Sequence, residues 1–396
     1  MPENTVALAA ARAETTVPDH GPGPGTPDDR PSRCPVSRGA DGSWTLSRHA
    51  DVVAAARDDV TFSNATSRFL KVPNGLDGDE HTAFRQLVDR YFTADRLSVL
   101  RPTLARIADE VVDEALDGTG RPGRREGAAL DAVALAARYA VRASCAWLGW
   151  PAELETELLR WIAANRGATR SGQIERTTEV ASWFDRIVRE QVVGRRPRSG
   201  PARDVTAELV DDESLGRRLT DEEITSILRN WTGGDLDSLA LCAGVVLAYL
   251  ADHPDLQTRV RGGVSDRELD AIIDETLRID DPFVSNRRVA TSDAVVNGQR
   301  IAGGDRVVLS WTAANRDPEV FGDPDAFDPA GNAPHNLVYG VGRHVCPGRG
   351  LATMELRLLT RAVLARGQSL TADPDRPRER SCPPSGGYAR VPLLLR

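Results

Sequence analysis

Lysine is all but missing from this sequence. Lys71 is the only one, so arginine carries nearly all the positive charge. A skew of that kind follows from the base composition of a GC-rich genome and marks no site. Cysteine is scarce and scattered: Cys34, Cys145, Cys242, Cys346 and Cys382 are odd in number, with no CxxC pair and no Cys/His cluster at zinc spacing. That excludes a disulfide framework or a structural zinc site as the organising principle. A surplus of basic residues is also lacking. The net charge of −8 excludes nucleic acid as the natural partner. The longest apolar run, Leu239 to Ala251, falls short of the roughly twenty residues that cross a bilayer. The N-terminus has neither a basic n-region nor an apolar h-region, so no leader is expected and a cytoplasmic location is. No internal repeat is apparent, and no flavin or nicotinamide fingerprint follows a strand pattern.

What is present reads as one large soluble fold. Hydrophobic residues make up 40% and charged residues 27% of the 396, an ordinary balance for a globule. A single fold of this length buries about three quarters of its unfolded surface, enough to enclose a cofactor. Residues 1–31 include "VPDHGPGPGTPDDRPS" and cannot bury apolar surface, so they are expected to be flexible. Residues 32–396 are expected to form a single catalytic domain. "SVLRPTLARIADEVVDEAL" has apolar residues at helical spacing, and "LDAVALAARYAVRASCAWLG" is apolar on most sides. A third helix opens with a capping box, Thr220 to Glu223, and runs to Pro254 with an interruption at Gly233-Gly234. Strand signals gather in "AVVNGQRIAGGDRVVLSW". The expected class is mainly α with a minor β region.

One cysteine stands apart. "YGVGRHVCPGRG", residues 339–350, surrounds Cys346 with glycines and basic residues just before a strong helical pattern, "LATMELRLLTRAVLAR". Unpaired N–H groups and the helix dipole favour a thiolate there. A lone thiolate serves as a nucleophile, a redox switch, half a disulfide or a metal ligand, and the loop alone does not choose.

The chain resembles the cytochrome P450 family, the haem-thiolate monooxygenases. Its cysteine-loop pattern is matched from Tyr339 to Gly348, with Tyr339 in place of the usual Phe. "ETLR", Glu275 to Arg278, matches E-x-x-R, which alone is weak because such pairs usually decorate a helix face. "AANRDPEVFGDPDAFDP" matches the meander before the cysteine loop, with Gly331 where an arginine of the ion network is common. The resemblance implies a P450 fold enclosing haem b, with Cys346 as the iron ligand. It implies that His81 and Arg85 in "DEHTAFRQLVDRYFT", Arg288 in "RRVA" and His344 hold the propionates.

On the long helix the family places a small residue, an acid and a hydroxyl above the iron. Counting back from Pro254, these are Gly234, Asp237 and Ser238, with Asp235 where the family has a second glycine. Two acids in an apolar helix are unfavourable unless wet or paired. The implied partners are dioxygen, a small-molecule substrate, ferredoxin and ferredoxin reductase, with Arg343 and Arg349 on the docking face. The protein is expected to be a monomer. The roof segment 62–75 offers Phe69 and Leu70 as substrate contacts, and "DPFVSNRR" offers Phe283, Val284 and Ser285. Residues 160–185 should form a lid in which Trp161, Trp183 and Phe184 act as packing anchors. Overall likeness points to secondary-metabolite tailoring: coupling or hydroxylation of a tryptophan-containing cyclodipeptide, or else hydroxylation of a terpenoid, macrolide or fatty acid. Outside the family, a haem gas sensor is disfavoured by Asp237 and Ser238. A cysteine hydrolase lacks a well-placed base.

Overall fold

The structure, a computed structural model, describes residues 34–67, 69–117, 127–195 and 204–396. The segment 1–31 lies outside the described residues. The helices that build the site are α1 His49–Arg57, α2 Gly78–Asp89, α3 Ala94–Asp117, α4 Ala132–Leu148, α5 Glu155–Ser171 and α6 Ile174–Val193, followed by α7 Asp221–Leu236, α8 Ser238–Asp252, α9 Asp266–Ile279 and α10 Arg349–Ala365.

The long central helix forms for the reasons its pattern gives. The Thr220 hydroxyl accepts from Glu223 N at 3.2 Å, and the Glu223 carboxylate accepts from Thr220 N at 2.8 Å, closing the capping box. Beyond it α8 is apolar all round and buried on nearly every face. The interruption falls at Asp237, between α7 and α8, and not at Gly233-Gly234 as the glycines suggested. Taken together, Asp221–Asp252 is the only helix among the described residues long and apolar enough to cross a membrane. Some 67% of its most apolar stretch is buried in protein, as in a core helix. Helix α4 lies along α8, and α10 packs on α3, α9 and α8.

The minor β part is two small sheets and two hairpin-like pairs. Strands β1 Val36–Arg38, β2 Trp44–Leu46, β3 Phe62–Ser63, β4 Ala128–Asp131, β5 Ser285–Ala290, β6 Arg306–Ser310, β7 Leu370–Ala372 and β8 Pro392–Leu395 fall into a five-stranded sheet, β1-β2-β6-β5-β3, and a three-stranded one, β4-β8-β7. Between β5 and β6, Asn297-Gly298 joins Ala294–Val296 to Gln299–Ile301. Both turn residues have positive φ, 45° and 78°, as a tight hairpin requires.

Candidate active site

The cysteine loop is shaped by its backbone. Cys346 N donates to Tyr339 O at 2.9 Å, and Gly340 and Gly342 sit at φ 71° and 81°. A Cβ on Gly342 would also stand 3.0 Å from Ala56 O, so the loop presses against α1 as only glycine allows. At the sulfur, burial pushes the thiol's pKa up. The N–H groups of Gly348 and Arg349, at the head of α10, and the charge of Arg85 oppose that rise without overcoming it. A free Cys346 therefore stays a thiol, and a bound cation is what would hold it as thiolate. The extra hydroxyl of Tyr339 does not need the sulfur as a partner: it lies 3.0 Å from Thr353 Oγ1 on α10, with the Arg349 guanidinium 5.1 Å above its ring.

A rim of basic residues converges beside the loop. His81 and Arg288 are buried, and the His81 and His344 rings lie 4.1 Å apart. Asn64 Nδ2 donates both to Asp77 Oδ1 at 2.9 Å and to His344 Nε2 at 2.8 Å, which leaves the His344 ring proton on Nδ1. Burial, with His81 and Arg288 alongside, holds His344 down to about 4, so it is a neutral donor. Arg288 is held down to about 10 by burial. His81 Nδ1 and Arg288 Nε are both buried without a partner. Orphaned donors of this kind call for an anionic acceptor. Arg85 differs from the other three. It donates to Val345 O at 2.6 Å and Arg343 O at 3.1 Å while pairing with Asp89, and so braces the loop itself. A thiol, its backbone donors and a rim that joins one buried guanidinium to two imidazoles, with unpartnered nitrogens on Arg288 and His81, fit a haem and its two carboxylates.

Behind the loop, the E-x-x-R pair is fully internal. Arg278 meets both Glu275 oxygens at 2.8 and 2.9 Å and gives its remaining donors to Asn315 O, Pro324 O and Ala326 O. The place of the missing arginine is taken by a neighbour: Asn332 Nδ2 donates to Glu275 Oε1 at 2.8 Å. A side chain at position 331 would displace the Asp328 carboxylate, which stands 2.3 Å from where its Cβ would be and caps Gly331 N.

On the opposite wall, both helix acids are paired. Asp237 is bound by Arg166 of α5 at 2.6 Å, and Asp235 accepts from Ser144 Oγ of α4. Gly234 has open space around it, and Ser238 makes no side-chain hydrogen bond among the described residues. The segment expected to roof the pocket is fastened to α7, a connection that the sequence did not reveal. Ser226 Oγ bridges Leu70 O and Val72 N, Arg229 donates to Leu70 O, and Asn230 donates to Val72 O. Phe69 is 61% exposed. Leu70, Phe283, Val284 and Ser285 are half-buried. Trp161 and Phe184 stack at 4.1 Å between α5 and α6, and Trp183 Nε1 donates to Glu157 at 2.8 Å.

The sequence model described as Cytochrome P450 matches residues 172–387, more than half of the chain. The cyclomarin C epoxidase of Salinispora arenicola is 31% identical over 340 residues, 82% of this chain and 83% of that protein. The chain belongs to the cytochrome P450 family. The erythromycin C-12 hydroxylase of Saccharopolyspora erythraea is 28% identical, with 87% of each chain covered. Among solved structures, a post-tailoring hydroxylase involved in himastatin biosynthesis superposes with a TM-score of 0.78 at 25% identity, over 92% of this chain and 94% of that one. The open form of the cytochrome P450 EryK from S. erythraea gives 0.81 at 26%, over 92% and 93%. This P450 is an oxidoreductase of the monooxygenase type in secondary metabolism. Its cofactor is haem b, and it works with dioxygen and redox partners such as ferredoxin.

Proposed function

We propose that Cys346 ligates the haem iron, that His81, Arg288 and His344 take the propionates, and that Arg85 holds the loop that presents the sulfur. The observation carrying this reading is the Cys346 loop, with its inward N–H donors, set beside buried donors that lack acceptors. Haem supplies the one-electron and dioxygen chemistry. The chain's own residues bind and orient substrate, keep bulk water out and manage protons. Ser238 offers a hydroxyl at the kink, and Asp237 can feed it a proton once it leaves Arg166. Arg343 and Arg349 suit an acidic ferredoxin on the thiolate side.

For the substrate, the reading is a tryptophan-containing cyclodipeptide, oxidised by hydroxylation or by coupling of two molecules. Leu70, Phe283 and Val284 would cover its apolar faces, and Ser285 would meet an amide. Hydroxylation of a macrolide is the second reading, favoured by the likeness to a protein named for the C-12 hydroxylation of erythromycin.

Carbon monoxide spectra of the reduced protein test the ligand. The wild type should show the thiolate form, and Cys346→Ala should lose it. Retention of that spectrum in Cys346→Ala would overturn the assignment. Binding spectra against cyclodipeptide and macrolide panels test the substrate. Turnover under labelled dioxygen then separates oxygen insertion, which labels the product, from coupling, which does not.

A further inference from the structure

Four aromatic rings form a continuous file that leads away from the cysteine loop. A Cβ on Gly348 would stand 3.5 Å from the Phe92 ring and 3.8 Å from Cys346 Sγ, so ring and sulfur flank one glycine. Phe92, just after α2, lies 5.0 Å from Trp147 of α4 and 5.5 Å from Trp231 of α7, between ring centroids. The two indoles are 5.2 Å apart, and Trp231 is in turn 5.1 Å from Tyr91. Trp147, Trp231 and Tyr91 are all buried. Core packing accounts for rings in such contact, but not for the polar groups they carry. Trp231 Nε1 is buried without a partner, which is unusual for an indole N–H and consistent with a redox role. At the far end the Tyr91 hydroxyl donates to Asp212 Oδ2 at 3.2 Å, and Asp212 also pairs with the exposed Arg90. Burial alone would raise the pKa of Asp212, but the bonds from Ser214 and the charge of Arg90 hold it below the ordinary carboxylate value. It is therefore an ionised acceptor at the edge of the molecule.

Indole and phenol give up one electron far more readily than a phenyl ring does. The file thus has two indole steps and a phenol terminus, with Phe92 crossed without being a stop. The Arg96 guanidinium, 5.2 Å from the centre of the Tyr91 ring, disfavours positive charge on that ring. Loss of the electron is favoured only together with loss of the proton, and Asp212 is in place to take it. We propose, on the basis of the haem-thiolate reading, that Trp147, Trp231 and Tyr91 drain an oxidising equivalent left at the haem when no substrate is there to take it. One electron passes from Tyr91 through the indoles to the haem centre, and the phenol proton passes to Asp212 Oδ2. Tyr91 becomes a neutral phenoxyl radical, Asp212 a neutral acid, and the haem centre is reduced by one electron. A thiolate reductant in solvent then supplies an electron and becomes a thiyl radical, while the proton on Asp212 returns to the phenol oxygen.

Rapid-freeze electron paramagnetic resonance of the substrate-free holoenzyme, mixed with peracetic acid, tests this. The wild type should give a tyrosyl radical whose splitting collapses when the protein carries ring-deuterated tyrosine. Tyr91→Phe should lose that signal and leave the radical on tryptophan, and Trp231→Phe should lower the tyrosyl yield several-fold. Asp212→Asn should lower it too, because the phenol proton then has no carboxylate to go to. All three variants should bleach their haem faster than the wild type under the same treatment. A tyrosyl signal that persists in Tyr91→Phe would belong to another of the five tyrosines and would overturn the proposal, as would a wild type with no protein radical. If the variants fail to hold haem, peptide mapping of the wild type after peracetic acid decides. Oxidation products at Trp231 and Tyr91 support the path, and two intact residues refute it. A protein that lacks the thiolate carbon monoxide spectrum would instead fail at the ligand assignment, before the path is tested.

Discussion

Asp281 shows how much one side chain can organise. It is buried, accepts from Phe283 N at 2.8 Å and from Asn315 Nδ2 at 2.8 Å, while Asn315 Oδ1 accepts from Leu337 N at 2.8 Å. One carboxyl thus ties the wall segment before β5 to the approach of the cysteine loop. Burial pushes its pKa up to about 8. The folded protein therefore binds a proton that the unfolded chain has released, between the ordinary carboxylate range and about pH 8. Across that window folding stability should fall as pH rises, by at most about 1.4 kcal/mol per unit. Asp281→Asn should flatten this component, and urea unfolding of the haem-loaded protein at a series of pH values reads it directly. An unchanged slope would exclude Asp281 as its source. Nothing in the sequence marked Asp281, because its depth and its asparagine partner come from segments 34 residues away along the chain.

Among the elements, α9 matters more than its surface-like sequence suggests. The pair at Glu275 and Arg278 is 2% and 0% exposed and receives the meander's carbonyls as well. Removing one partner leaves a buried charge, so Arg278→Ala should cost about 3–5 kcal/mol and release haem on mild denaturation. Arg278→Lys should not restore it, since a single ammonium cannot reproduce the fork to Glu275 and three carbonyls. Haem retention during a urea titration checks both. This pair was legible because its spacing is local and recurs with the meander and the cysteine loop. Asn332 was not legible, although it stands beside the glycine that marked the gap. Its role depends on a turn that only the fold defines. Likewise the capping box located the start of α7 correctly, while the glycines misplaced the break. The helix yields at Asp237, whose side chain is drawn off by α5.

At the scale of the whole molecule, α5 and α6 form one unit, joined by the Trp161–Phe184 stack and the Trp183–Glu157 bond. Arg166 connects that unit to the kink, and Arg229 connects it to the roof through Asp185 of α6. Substrate loading should therefore slow amide exchange in α5, α6 and residues 62–76 together, since closure of a pocket orders its lid. Exchange that slows in the roof alone would separate the two. The general architecture was readable from periodicity and motif order. The side chains that join its parts were not, because pairs such as Arg166 with Asp237 come from helices far apart in sequence.

The fastened roof also carries the molecule's only side-chain amine. Lys71 is exposed between Leu70 and Val72, whose backbone groups are held by α7. An amine-reactive dye, once its attachment at the chain's α-amine is blocked, will thus label a single lysine on the segment expected to roof the substrate chamber. The dye's mobility and fluorescence then report how the chamber opens in the native protein.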